Sequence, residues 1–233
     1  LYYLSNCKEI AEKEIGDSNL VKVYIGFANV YRNQNEMEKA MSNFIKAKKL
    51  IEVNDYKSFW IELNLQMADF YYELYELEPA STHVYTALNE LNKLSYTFTD
   101  SYVRAYILLN RINISHKNLD LGLEYINKCF KLIEFCQDKF LITQVYYYKG
   151  ISLVNTLKLS EALVYLLKSK QLADQYLYHI FKSTINLSIG DVYLQLKDYN
   201  LASNYFWLIV DEFPVEDMHV YSMAHSKLAY IEL

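Results

Sequence analysis

The sequence predicts an all-α fold built as a stack of antiparallel helix pairs. The first reason is an internal period near forty residues. Ala40, Ala80, Gly122, Ala162 and Ala202 recur at that interval, and Tyr31, Tyr71 and Tyr193 each stand nine residues before one of them. The second reason is punctuation. Only 5 glycines and 2 prolines occur in 233 residues, too few for the tight turns of a sheet-rich fold and enough for helices joined by short loops.

Each copy reads as two amphipathic helices. In the first, Tyr24, Phe27, Ala28 and Tyr31 fall three and four apart on one face. Asn33, Gln34 and Asn35 then break the pattern, because their side-chain amides compete for backbone hydrogen bonds. Ala40, Phe44, Ala47 and Leu50 line the second helix. The second copy repeats this with Met67, Ala68 and Tyr71, then Ala80, Val84 and Ala87. Pro79 stands where a helix start tolerates it. The third copy is the most degenerate: Tyr106 and Leu109 precede Gly122, Ile126 and Cys129, with Asn110 and Asn113 at packing positions. That composition marks residues 103–117 as the expected soft point of the stack. The fourth copy has Tyr146, Gly150 and Leu153, then Ala162, Leu166 and Ser169. The fifth has Ile189, Gly190 and Tyr193, then Ala202, Phe206 and Ile209, with Pro214 closing the helix.

The pattern resembles the tetratricopeptide repeat (TPR), a helix–turn–helix unit. The resemblance is carried by Ala28, Ala68, Gly150 and Gly190, by Tyr31, Tyr71 and Tyr193 three residues later, and by Ala40, Ala80, Ala162 and Ala202. Phe44, Val84, Leu166 and Phe206 follow four after those alanines. The family's first-helix Trp is replaced by Tyr24, Asn64, Tyr106, Tyr146 and Asn186, and the period is longer than the usual one. The resemblance implies a right-handed α-solenoid over residues 1–233. Its copies are 18–55, 56–97, 98–137, 138–177 and 178–215, flanked by a second helix at 1–17 carrying Leu4 and Cys7 and a first helix at 216–233. Leu1 and Leu233 both fall inside helical patterns, so the chain is expected to be a piece of a longer protein.

Composition narrows function. The chain is 52% hydrophobic and 22% charged, within the range of an ordinary folded protein. A net charge of −5 and the lack of a basic stripe argue against nucleic-acid binding, the Lys46 to Lys49 run being read as a solvated helix face. Three cysteines at non-framework spacing suggest reduced thiols in a cytoplasmic setting, with Cys7 and Cys129 at the phase of Ala47, Ala87 and Ser169, hence packing residues. No glycine-rich phosphate loop, metal-ligand spacing or catalytic constellation occurs. No catalytic residue, metal or cofactor is expected. Glu73, Glu76 and Glu78 read as a solvated helix end and turn.

The resemblance also implies a binding surface, since first helices line the concave face in this family. Ile25, Leu65, Ile107, Tyr147 and Leu187 share one phase there, an apolar floor. Arg32 and Tyr72 follow one turn later, with Ile114, Val154 and Leu194. Asn29, Asp69, Arg111, Ile151 and Asp191 occupy the phase between, and Arg104 supplies a further basic group. Asn29 and Arg111 are expected to bond a peptide backbone or carboxylate, and Asp69 and Asp191 to pair with basic groups. A five-residue carboxylate clamp known in the family is not expected, because its places hold Ile25, Asn29, Gln66, Arg104 and Leu108. The expected function is a peptide- or protein-binding scaffold, read as the regulatory region of a larger bacterial signalling protein. Its partners would be a peptide, an attached output domain, or a second copy through exposed Phe59, Trp60, Trp207 and Phe213.

Overall fold

In the computed structural model, residues 17–94, 98–212 and 218–232 are described. The expected half copy at the N-terminus, with Leu4 and Cys7, lies outside them, as do Phe213 and Pro214. Among the described residues the fold is all-α, with eleven α-helices and no strand. In order they are α1 (Asp17–Asn33), α2 (Met37–Asn54), α3 (Lys57–Glu73), α4 (Leu77–Lys93), α5 (Thr99–Ser115), α6 (Leu119–Phe130), α7 (Lys139–Asn155), α8 (Leu159–Gln175), α9 (His179–Gln195), α10 (Tyr199–Glu212) and α11 (Met218–Glu232). A 3-10 turn, Ile133–Phe135, follows the short α6.

One backbone device sets all five turns inside the helix pairs. Asn35, Tyr75, Lys117, Leu157 and Lys197 each adopt a left-handed conformation, with φ from 59° to 65°. The next residue's N–H then bonds the carbonyl five residues back: Glu36 to Tyr31, Glu76 to Tyr71, Asn118 to Asn113, Lys158 to Leu153 and Asp198 to Tyr193, at 2.8–2.9 Å. This closure satisfies carbonyls left open at a helix end and reverses the chain in three residues. None of the five positions is glycine; Asn35 tolerates this conformation, and Tyr75, Lys117, Leu157 and Lys197 each strain a side chain at about 1–2 kcal/mol.

The chain divides into two compact units, Leu1–Ile112 and Asn113–Leu233. The division falls inside α5, in the degenerate third copy. In the first unit α1 packs on α2 and α3 on α4. Val21, Ala28, Ala40, Phe44, Ala47, Leu63, Met67 and Phe70 form its core. Alanine at positions 28, 40 and 47 lets the helices approach, and Phe44 meets Phe70 edge-on at 5.7 Å. In the second unit α7 packs on α8, α9 on α8 and α10, and α10 on α11. Leu166, Ile185, Ile189 and Val192 form one cluster, and Ala202, Phe206, Ile209, Ala224 and Leu228 another. Asp138 caps α7 by accepting from the backbone N–H of Phe140 and Leu141. Cys129 is fully buried and burial pushes its thiol far up, which suits a packing residue.

Two copies solve the missing first-helix Trp differently. Asn64 is buried and its amide oxygen lies 2.8 Å from His83 Nδ1, while His83 stacks on Tyr71 at 5.4 Å. The equivalent residues in the fifth copy are Asn186, Tyr205 and Tyr193, whose rings stack at 5.7 Å. There the fully buried Asn186 amide has no hydrogen-bond partner at either end among the described residues. Asn186→Leu is therefore expected to stabilise the chain by about 1–3 kcal/mol, read as a higher urea midpoint, because an unsatisfied buried amide is replaced by an apolar group of similar shape.

Burial also holds the His83 pKa below its usual value, with a smaller contribution from Lys48. Between that lowered value and 6.5 the unfolded chain binds a proton that the folded chain does not. Stability should thus rise with pH through this window and fall on acidification below about 6.5. Urea midpoints measured from pH 7.5 to 5 should show this slope in the wild type and a shallower one in His83→Gln.

Candidate functional site

The first helices of the first unit, α1, α3 and α5, carry a charged face with alternating sign. On α3, Glu62, Asp69 and Glu73 recur at seven and four residues and so share one side. Basic residues of the flanking helices meet them. Arg104 of α5 grips Glu62 with one guanidinium nitrogen 3.0 and 3.1 Å from its two oxygens, and lies 3.7 Å from Asp69. Arg111 donates to Asp69 at 2.7 Å and stacks 4.2 Å from the centre of the Tyr72 ring. Arg32 of α1 approaches Glu73 at 3.4 Å. Burial raises the Glu73 pKa, partly offset by Arg32.

Beside this ladder a cleft of about 460 Å³ opens between α1 and α3. Ile25, Gly26 and Asn29 form one wall, and Phe59, Glu62 and Gln66 the other. Phe98, which precedes α5, closes one end. Lys22 lies 5.6 Å over the Phe59 ring at the rim. Two amide oxygens in this cleft are buried without a hydrogen bond: Asn29 Oδ1 and Gln66 Oε1. Gln66 is only 8% exposed, and its amide nitrogen donates to Glu62. One turn beyond Asn29, Arg32 Nη1 is also buried with no acceptor.

The residues expected at the surface fall into three groups. Ile25, Leu65, Ile107 and Leu187 are buried, so they pack between helices and offer little free area. Asn29, Arg32, Asp69, Tyr72, Arg104 and Arg111 lie partly exposed on the first unit's face. In the second unit Tyr147 donates to or accepts from Ser188 at 3.1 Å and meets Phe181 at 5.1 Å. Ile151 packs on the α9 core, and Asp191 pairs with Lys227 at 2.8 Å. The acidic groups expected to await a partner's basic groups thus already have internal cations. Glu62 was missed by the sequence reading, as was the role of Gln66 in the cleft. The signal for Glu62 was present, since it stands forty-two residues before Arg104, as Asp69 does before Arg111.

Among the described residues no group of three or more His, Cys, Asp and Glu could hold a metal, and no helix is long and apolar enough to cross a membrane.

Residues 21–54 and 183–206, which span α1–α2 and most of α9–α10, match the sequence profile of the tetratricopeptide repeat. These two segments carry tetratricopeptide repeat sequence. No curated protein matches it in sequence. Solved tetratricopeptide and related structures share its fold. A Rap protein complexed with Competence and Sporulation Factor is 14% identical at a TM-score of 0.75, over 99% of this chain and 62% of that one. The apo form of RapI is 14% identical at 0.69, over 91% and 83%. A STAND signal-transduction ATPase with a tetratricopeptide repeat sensor, from Pyrococcus horikoshii, is 18% identical at 0.67. The match covers 91% of this chain, which spans 31% of that ATPase.

Proposed function

We propose that the chain is a protein-interaction scaffold whose α1–α3–α5 face binds an extended peptide segment. The observation that carries this reading is the pair of buried, unpartnered amide oxygens, Asn29 Oδ1 and Gln66 Oε1, in one cleft. A buried acceptor without a donor is costly, and a bound peptide N–H removes that cost. Arg32 Nη1 nearby lacks an acceptor, which a peptide carbonyl or carboxylate supplies. Ile25 and Phe59 add apolar wall, and two acceptors with a donor one turn beyond suit the N–H and C=O groups of an extended backbone.

The repeat partition 18–55, 56–97, 98–137, 138–177 and 178–215 belongs to the same reading, each copy built from one first and one second helix. So does a cytoplasmic regulatory role in a larger bacterial signalling protein, with a diguanylate cyclase, kinase or DNA-binding output domain. Its support is the likeness in fold to a Rap protein complexed with Competence and Sporulation Factor and to an ATPase with a tetratricopeptide repeat sensor. No catalytic step is assigned to these residues. A second reading, self-association or assembly adaptor, is favoured by large apolar side chains on second helices, Ile45 at 45% and Trp207 at 43% exposure.

The test is selection of a phage-displayed random peptide library on the full chain, followed by fluorescence anisotropy with the enriched peptides. Asn29→Leu and Gln66→Leu should each weaken those peptides about tenfold or more, since each removes one buried polar contact. Enriched peptides that bind both variants as tightly as the wild type would refute the assignment.

A further inference from the structure

A second cleft, of about 770 Å³, lies on the other side of the first unit, along α2 and the end of α3. Its floor is apolar: Met37, Met41 and Ile45 from α2, and Phe70, Tyr71 and Leu74 from α3 and the turn after it. Ile45 is 45% and Leu74 37% exposed. The rim is charged, and the charge is polarised along α2. Glu38, with Glu76, stands at the N-terminal end, and Lys46 and Lys49 stand at the C-terminal end. Among the described residues, Glu38, Glu76 and Lys49 have no ion pair. The adjacent Lys48 is turned away toward Glu52 and Trp60, and Lys46 lies 5.7 Å over Tyr24.

We propose that this cleft binds α2 of a second copy of the chain, the two α2 helices running antiparallel about a two-fold axis. The argument is self-complementarity. Glu38 and Lys49 are equidistant from the point midway between Asn43 and Phe44, and so are Ser42 and Ile45, and Met41 and Lys46. An antiparallel partner therefore sets Glu38 against Lys49 at both ends, about 16 Å apart along the helix. It also lays Met41 on the aliphatic stem of Lys46 and brings the two Ile45 side chains together near the axis. A lone apolar groove fits many helices, whereas this order of acid, methionine, isoleucine and lysine is its own complement. Methionine adds adaptable packing at the contact. The interface lies outside the peptide cleft of α1 and α3, so either reading survives failure of the other.

Sedimentation equilibrium of the full chain tests it. The wild type should show a concentration-dependent monomer–dimer equilibrium. Glu38→Lys alone, or Lys49→Glu alone, should raise the dissociation constant about tenfold or more, because each turns two attractive contacts repulsive. The double variant E38K/K49E should return it to near the wild-type value, and Ile45→Asp should abolish the dimer. A wild type that stays monomeric, a dimer indifferent to the single reversals, or a double variant no better than the singles would each overturn the proposal. Circular dichroism melting confirms that each variant is folded.

Discussion

Phe206→Ala is expected to be among the most damaging substitutions in the second unit, at about 3–5 kcal/mol in urea unfolding. Phe206 is fully buried and its ring fills the space over Gly190. A Cβ added at Gly190 would stand 2.8 and 2.9 Å from Phe206 Cδ1 and Cζ, far inside van der Waals contact. The first copy has Ala28 at this place opposite Phe44, so a phenylalanine does not by itself demand glycine; the close approach of the Phe206 ring to Gly190 does. Gly190→Ala gains about 1 kcal/mol of helix propensity and loses about 1–3 to overpacking, a net loss in the wild type. In the Phe206→Ala background the clash is gone and the same substitution should stabilise. A double-mutant cycle whose Gly190→Ala arm keeps one sign in both backgrounds would show that the ring does not set the glycine.

Asp69→Ala is expected to cost about 1.5–3 kcal/mol and to loosen the α3–α5 contact of the first unit. Asp69 is the shared carboxylate of Arg104 and Arg111, and all three side chains are at least three-quarters buried. Its removal takes from both arginines the carboxylate they share, leaving Arg104 with Glu62 and Arg111 with the field of Glu73. Arg111→Lys should cost less, yet measurably, because the lysine keeps the charge and loses the planar contact with Tyr72. Chemical denaturation of both variants, with hydrogen exchange of residues 99–112, checks the order. Equal stability of wild type and Asp69→Ala would remove the ladder from the account.

The period carried most of the fold. Small residues at 28, 40, 68, 80, 150, 162, 190 and 202 fixed where helices meet, and Asn33–Asn35 fixed the first turn. The period also held the lateral contacts, since residues one copy apart stand side by side: Arg32 with Glu73, Glu62 with Arg104, Asp69 with Arg111 and Tyr147 with Ser188. What the sequence could not show was which apolar first-helix residues stay free. Each inner first helix packs on its own second helix and on neighbouring first helices, so apolar side chains a residue away from the main packing face, such as Leu65, are buried too. Periodicity describes one buried stripe well and a helix buried on several sides poorly. The unpartnered amide oxygens of Asn29 and Gln66 were also beyond reach, because a pattern names the side chains and not their hydrogen bonds.

The most direct measurement for the peptide-binding claim is hydrogen–deuterium exchange of the full chain with and without a library-selected peptide. Bound peptide should slow exchange in residues 22–32 and 58–69, the walls of the α1–α3 cleft, and leave residues 37–49 of α2 unchanged. Protection confined to α2, or to helices of the second unit, with the α1 and α3 segments exchanging as before, would contradict it.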